Sequence, residues 1–250
     1  MSGHSKWSTI KRAKGITDAR RGALFTKVAR EISVAARQGG GDPDANYRLR
    51  LAVEKARSVN MPSDNIKRTI DKATGGGEAD QYEEIVYEGY GPGGVALLVE
   101  AQTDNRNRTA AEVRSMFAKS GGQLAGSGAV AWQFEPRGLI AVLRAGMDAD
   151  EVALAAIDAG AEDVATDDED TIEVFTSPGD LEAVRQALEV AGIPVGSAEQ
   201  TMVAKQTVEL DAHKARQALR LIELLEDLDD VSRVTANFEI PDEVFAEIAG

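Results

Sequence analysis

The 250-residue chain contains no cysteine and only two histidines, His4 and His213. The first absence removes disulfides, thiolate metal sites and cysteine nucleophiles together, and it suits a reducing cytosol. The second leaves no imidazole pair for a shared site, because His4 sits in an N-terminal arm and His213 opens a distant helix. A zinc site would have to lean on carboxylates, which is unusual for that metal. No apolar run is long enough to cross a bilayer. The opening Met1-Ser2-Gly3-His4-Ser5-Lys6 has no apolar stretch behind its charge, so no signal peptide is expected. These absences point to a soluble, cytoplasmic protein with no membrane partner, metal or cofactor.

Charge is plentiful, and unevenly placed. The net charge of −14 argues on its face against a nucleic-acid partner. Yet residues 1–72 hold 16 Lys and Arg against 7 Asp and Glu, a net of +9, whereas residues 73–250 carry a net of −23. Such asymmetry points to a nucleic-acid contact at the basic end. The other reading is that the basic part pairs with the acidic part inside the molecule.

Residues 1–16 read as a basic arm. A helix is expected from Asp18 to Arg37, stopped by Gly39, Gly40 and Gly41. Leu24, Phe25, Val28, Ile32, Ala35 and Ala36 fall on one side, and Arg20, Lys27, Arg30 and Arg37 on the opposite side. Val34 breaks the pattern by lying among the cations. A second helix is expected from Asp44 to Val59, and a third capped by Ser63 and carrying Ile66 and Ile70. Three amphipathic helices with short connections describe a small bundle.

Strands follow. Ile85–Tyr90 and Val95–Ala101 flank a Gly91-Pro92-Gly93-Gly94 turn, then come helix Arg108–Lys119 and strand Ala129–Phe134, with Pro136 and Gly138 marking a boundary. Strand Leu139–Leu143, helix Asp150–Asp158, strands Glu162–Thr166 and Thr171–Phe175, a helix bearing Leu181, Val184 and Leu188, and strand Gln200–Val208 make the β-α-β-β-α-β order of ferredoxin-like folds. Helix Asp211–Glu226 and strand Val231–Ile240 end the chain and can complete the earlier set. The expected fold class is therefore α+β: an N-terminal three-helix bundle followed by two ferredoxin-like domains, one inserted in the other. The expected divisions are 1–77, 78–135 with 209–250, and 136–208.

No catalytic pattern emerges, and the protein is not expected to be an enzyme. Asp167 to Asp170 is an acidic run suited to a solvated turn, without the glycine and terminal glutamate of an EF-hand loop. Gly89 to Gly94 lacks the Gly-Lys-Ser/Thr ending of a phosphate cradle. Ser127 has glycines beside it, not two residues away as a nucleophile elbow needs.

The arm mixes Lys6, Lys11, Arg12 and Lys14 with Trp7. Such cations neutralise phosphates and displace counterions. Trp7 either stacks on an unpaired base or anchors the arm. Replacing Lys6, Lys11 and Lys14 together is expected to weaken nucleic-acid binding and flatten its salt dependence. A salt slope that the triple change leaves alone counts against the arm as a contact.

Gly3-His4-Ser5-Lys6-Trp7, Ile10-Lys11, Arg21-Gly22 and Phe25-Thr26-Lys27 resemble the start of the YebC family, also called PmpR-type regulators. The resemblance continues at Gly41-Asp42-Pro43, Arg48-Leu49-Arg50, Asn60-Met61-Pro62, Tyr87 to Val95 and Thr103-Asp104-Asn105-Arg106-Asn107-Arg108-Thr109. It implies one helical and two α+β domains, and DNA-binding transcription regulation. Mitochondrial relatives resemble translational activators, and some bacterial ones are tied to the ribosome and proline-rich stalling. Departures from the family pattern occur at Arg12, Ala13, Ala23, Tyr47, Gln123, Ala125 and Ala129.

The candidate contacts for nucleic acid are thus Lys6, Trp7, Lys11, Arg12, Lys14, Arg20, Arg21, Lys27, Arg30, Arg37, Arg48, Arg50, Lys67, Arg68, Arg106 and Arg108. For Arg106 and Arg108 the alternative is a helix cap with arginines bridging to nearby acids. The functions in competition are a DNA regulator, a translation factor on ribosomal or transfer RNA, an acidic adaptor recruiting proteins, and, last, a carboxylate hydrolase.

Overall fold

The computed structural model describes residues 18–75, 82–168 and 170–249. Its elements begin with α1 (Asp18–Gly39), α2 (Tyr47–Ser58), α3 (Ser63–Thr74), β1 (Glu83–Tyr90), β2 (Ala96–Thr103), α4 (Arg106–Lys119) and β3 (Gln123–Leu124). They continue with β4 (Phe134–Leu143), α5 (Ala149–Asp158), β5 (Asp163–Ala165), β6 (Thr171–Thr176), α6 (Leu181–Val190) and β7 (Val195–Ala204). The last are β8 (Val208–Glu209), α7 (Ala212–Glu226), β9 (Val231–Ala236), β10 (Phe238–Glu239) and α8 (Asp242–Ala249). They fall into two compact units, one of residues 18–131 with 211–234 and one of 132–210 with 235–249.

In the first unit, α1 to α3 form a bundle with an apolar core cluster drawn from residues 24–73. Val28, Ile32, Ala35 and Ala36 of α1 pack with Leu49, Ala52, Val53 and Ala56 of α2 and Ile66 of α3. Gly40 ends α1 at φ +90°, a conformation that glycine alone adopts without strain. The second helix starts three residues later than the sequence suggests, because Asn46 is its cap. Asn46 Oδ1 accepts from the Leu49 amide at 3.1 Å, and Nδ2 donates to the carbonyls of Ala35 and Gly40 at 2.8 Å each. One buried amide thereby ties the end of α1 to the start of α2. Asn46→Ala is expected to cost about 2 kcal/mol, from the lost cap and the two lost carbonyl bonds of Nδ2, read as a lower denaturant midpoint.

The Asn60-Met61-Pro62 block closes α2. Asn60 takes φ +62°, the Met61 amide reaches back to the Ala56 carbonyl at 2.9 Å, and the Met61 side chain is buried. Asparagine tolerates the left-handed turn, and an apolar residue just beyond it completes the cap. Pro62 occupies the cap position of α3, so Ser63 is the helix's first residue and does not cap it, contrary to expectation.

Beyond the bundle, β1 and β2 pair antiparallel along their full length, joined by a one-turn 3-10 segment at Pro92–Gly94. The sheet order is β3-β1-β2-β9, with the central hairpin flanked by strands from after α4 and after α7. Gly89 lies where a Cβ would come within 2.6 Å of the Phe117 ring, so α4 packs on bare backbone there. The anticipated strand Ala129–Phe134 is instead a 3-10 turn, Ala131–Gln133, followed by the first residue of β4. Its backbone amides are taken by a side chain, as described below.

In the second unit the order β5-β6-β4-β7, all antiparallel, is that of a ferredoxin-like sheet. Ile140, Val142, Ile172 and Val174 are fully buried, as are Val152 and Ala156 of α5 and Leu181, Val184 and Leu188 of α6, to within 2 % exposure. Pro136 and Gly138 mark no boundary: both lie inside β4, paired with Met202 and Gln200. The expected strand Val231–Ile240 is two strands, because β10 leaves the first sheet to pair in parallel with β8. Helix α8 was not legible. The α+β class, with one sheet unit inserted in the chain of the other, matches the sequence reading.

Candidate nucleic-acid interface

Among the candidate contacts, Lys6, Trp7, Lys11, Arg12 and Lys14 lie outside the described residues, as do the side chains of Arg20 and Arg21. The others divide into cations already engaged and cations turned to solvent.

Lys27 donates to the carbonyl of Glu226 at the end of α7. Arg30 Nη1 donates to the Asp229 carbonyl at 2.6 Å and to Asp230 Oδ1 at 2.7 Å, with its guanidinium 5.3 Å from the centre of the Tyr82 ring. Arg30 is 14 % exposed and Asp230 only 3 %. This side of α1 therefore faces protein, and Val34, lying among the cations, is 4 % exposed. Arg48 bonds to Glu84 and Gln38. Arg50 Nε donates to the Pro43 carbonyl at 3.1 Å, and the group sits over the Tyr47 ring. Arg37 is exposed near the end of α1.

Lys67 and Arg68 are exposed on the outer side of α3, opposite buried Ile66. Arg57, on the last turn of α2, is exposed too and was overlooked. Its signal was present: it follows Arg50 by seven positions, hence on the same flank of the helix. None of these three cations has a polar partner among the described residues.

Arg108 is engaged within the protein, whereas Arg106 lies at the surface. Asn105 caps α4 by accepting from the Arg108 amide at 3.1 Å. Arg108 Nη2 bridges Asp104 Oδ1 and Asp230 Oδ2, both at 2.7 Å. Arg106 stands 3.6 Å from Glu83, both largely exposed. The Thr103 to Thr109 block thus wraps a buried carboxylate: Asp230 Oδ2 also accepts from Thr103 Oγ1 at 3.1 Å and Thr109 Oγ1 at 2.7 Å. Burial alone would raise the Asp230 carboxyl, but the hydrogen bonds of Thr109, Arg108 and Thr103 and the charge of Arg30 hold it below its ordinary 3.8. Nothing in the sequence marked this residue.

A second buried carboxylate organises the glycine-rich stretch. Glu88, 5 % exposed, accepts from the amides of Gly128, Val130 and Ala131 at 2.6, 2.7 and 2.8 Å. Burial pushes it up, yet the three amide bonds outweigh that and keep it below 4.5. These bonds are why residues 128–131 coil around a side chain and do not extend as a strand. Among the described residues, no group of three or more His, Asp or Glu is placed to hold a metal ion. Asp168 Oδ1 accepts from the amides of Asp170 and Thr171, both at 2.9 Å, as a turn residue does. No described helix is long and apolar enough to cross a membrane.

The family model described as the TACO1/YebC protein N-terminal domain matches residues 5–76, and that of the TACO1/YebC second and third domain matches 82–238. The chain belongs to the TACO1/YebC family. Similar relatives are two proteins named probable transcriptional regulatory protein. One, from Roseiflexus castenholzii, is 59 % identical over 98 % of this chain and 97 % of its own. The other, from Rubrobacter xylanophilus, is 57 % identical over the whole of both chains. A crystal structure of a conserved hypothetical protein from Aquifex aeolicus has 47 % identity and a TM-score of 0.85, covering 91 % of this chain and 93 % of that one. Among the described residues, the blocks Asn60-Met61-Pro62, Tyr87 to Val95 and Thr103 to Thr109 fall on the end of α2, the Glu88 strand and the Asp230 cluster.

Proposed function

We propose that the protein is a nucleic-acid-binding regulator of gene expression without catalytic activity, and that it acts on DNA in the cytoplasm as a transcriptional regulator. The observation that carries this is the exposure of Arg57, Lys67 and Arg68 on a bundle with its own core, within a net +9 segment of an acidic chain. Cations left without internal acids are what phosphates need. The names of the bacterial relatives support the same role. In this reading the contact comprises those three residues with the arm (Lys6, Trp7, Lys11, Arg12, Lys14) and the start of α1 (Arg20, Arg21). Lys27, Arg30, Arg48 and Arg108 have structural work. The acidic parts beyond residue 77 meet protein partners.

A second reading, an RNA-binding translation factor at the ribosome, draws on one feature of α3. Asp64 and Asp71 are exposed and stand four residues from Arg68 and Lys67. A helix carrying acids among its cations is poorly suited to the depth of a major groove, and better suited to the phosphate surface of a folded RNA. Cross-linking in living cells with sequencing of both nucleic acids decides between them. Promoter DNA recovered above ribosomal and transfer RNA supports the first reading, the reverse supports the second, and enrichment of neither rejects both.

A further inference from the structure

We propose that α1 carries a second phosphate-binding surface, Lys27 with Arg30, which the chain holds closed against the Glu226–Asp230 turn and which nucleic acid opens by exchange. The inference rests on the nucleic-acid reading above. Lys27, Arg30, Val34 and Gln38 lie along one line of α1, at helical spacing. Three of the four make polar contacts with the sheet part of the unit: Lys27 to the Glu226 carbonyl, Arg30 to Asp229 and Asp230, and Gln38 to Glu84 at 3.2 Å. Val34 is the single apolar member, and it lies outside the bundle's core cluster.

Two consequences follow from this composition. The bundle loses none of its own core when the line separates, so undocking leaves it folded; polar interfaces of this kind permit such motion. The acceptors on Lys27 and Arg30 include a helix-end carbonyl, a backbone carbonyl and a carboxylate, oxygens that a phosphodiester can replace. Arg30 is moreover incompletely satisfied where it sits, because its buried Nε finds no acceptor. A phosphate offers that missing oxygen and accepts from guanidinium through two of its own.

The test keeps one polypeptide and changes only its freedom to undock. Since the chain has no cysteine, Gln38→Cys with Glu84→Cys introduces a unique pair across the docked line, and a short bis-maleimide bridges it. The probe is a fluorescein-labelled random-sequence DNA duplex, with a labelled RNA hairpin in a parallel arm, titrated at several salt concentrations. The unbridged protein is expected to show a log–log salt slope steeper by about 2 than the bridged one, from two additional phosphate contacts at about 0.9 each. Lys27→Gln with Arg30→Gln is expected to remove that difference in the unbridged protein and to change nothing in the bridged one. Equal slopes and affinities before and after bridging overturn the closed-surface inference while leaving the nucleic-acid reading intact. Binding to neither probe in either form overturns both.

Discussion

Asp230→Ala is expected to destabilise the protein by about 3–5 kcal/mol, the range for removing one partner of a buried ion pair. The magnitude follows from what remains. Arg30 would keep a largely buried guanidinium with its Nε already lacking an acceptor. The hydroxyls of Thr103 and Thr109 would lose their carboxylate acceptor, and Arg108 would retain only exposed Asp104. Asp230→Asn keeps the shape and restores part of the hydrogen bonding, so it should cost less than alanine. The same carboxylate sets an acid limit. Its folded pKa lies below the unfolded 3.8, so its contribution is fully present above that value and disappears as pH falls through the folded one. Glu88 behaves in the same sense below 4.5. Urea midpoints measured from pH 7 down to pH 3 should therefore fall more steeply near the bottom for the natural protein than for Asp230→Ala. A flat difference between the two, or an alanine cost under about 1 kcal/mol, would show that Asp230 is not the keystone its hydrogen bonds describe.

Arg57→Gln, Lys67→Gln and Arg68→Gln together are expected to lower affinity for nucleic acid by on the order of 10³-fold, about tenfold for each charge-assisted hydrogen bond to phosphate. The log–log salt slope should shrink by about 3 in magnitude. The loss should be similar across sequences, because phosphate contacts position a protein and do not read bases. All three side chains are exposed, so stability should move little, and thermal melts of the variant provide the control. An affinity within about twofold of the natural protein, with an unchanged slope, would remove the outer side of α2 and α3 from the contact.

Much of the architecture was legible because it depends on local period and on turn chemistry. The β-α-β-β-α-β order could be read from strands whose buried side chains recur in register. The inward residues of α6, Leu181, Val184 and Leu188, were named correctly and are buried to within 1 %. Two of the failures share a different cause, a partner distant in the chain. Residues 129–134 were expected to form a strand, but a single glutamate some forty positions earlier captures the amides of Gly128, Val130 and Ala131. Helix α8 occupies the short run Asp242–Ala249, beyond the last segment assigned from the sequence. The cation side of α1 could not be judged from the helix alone, because its acceptors come from a turn about two hundred residues away. Only Val34 gave notice: an apolar residue among arginines is poorly placed on a solvated face, and it marked the side that is covered.

The position of β9 has a bearing on how the protein is made. Its neighbour β2 is complete by Thr103, yet the Ser232 hydroxyl that bonds the Glu100 carbonyl belongs to a segment 132 residues later. A nascent chain must therefore expose the rim of the β1–β2 hairpin until almost all of it has been synthesised. The intervening ferredoxin-like unit has every strand of its own four-stranded sheet in hand well before then, and can fold early. An unpaired rim of Leu98, Glu100 and Gln102 invites adhesion between chains. Truncations ending before Val231 should accumulate in inclusion bodies, whereas full-length protein should refold slowly, its rate set by closure of that long loop.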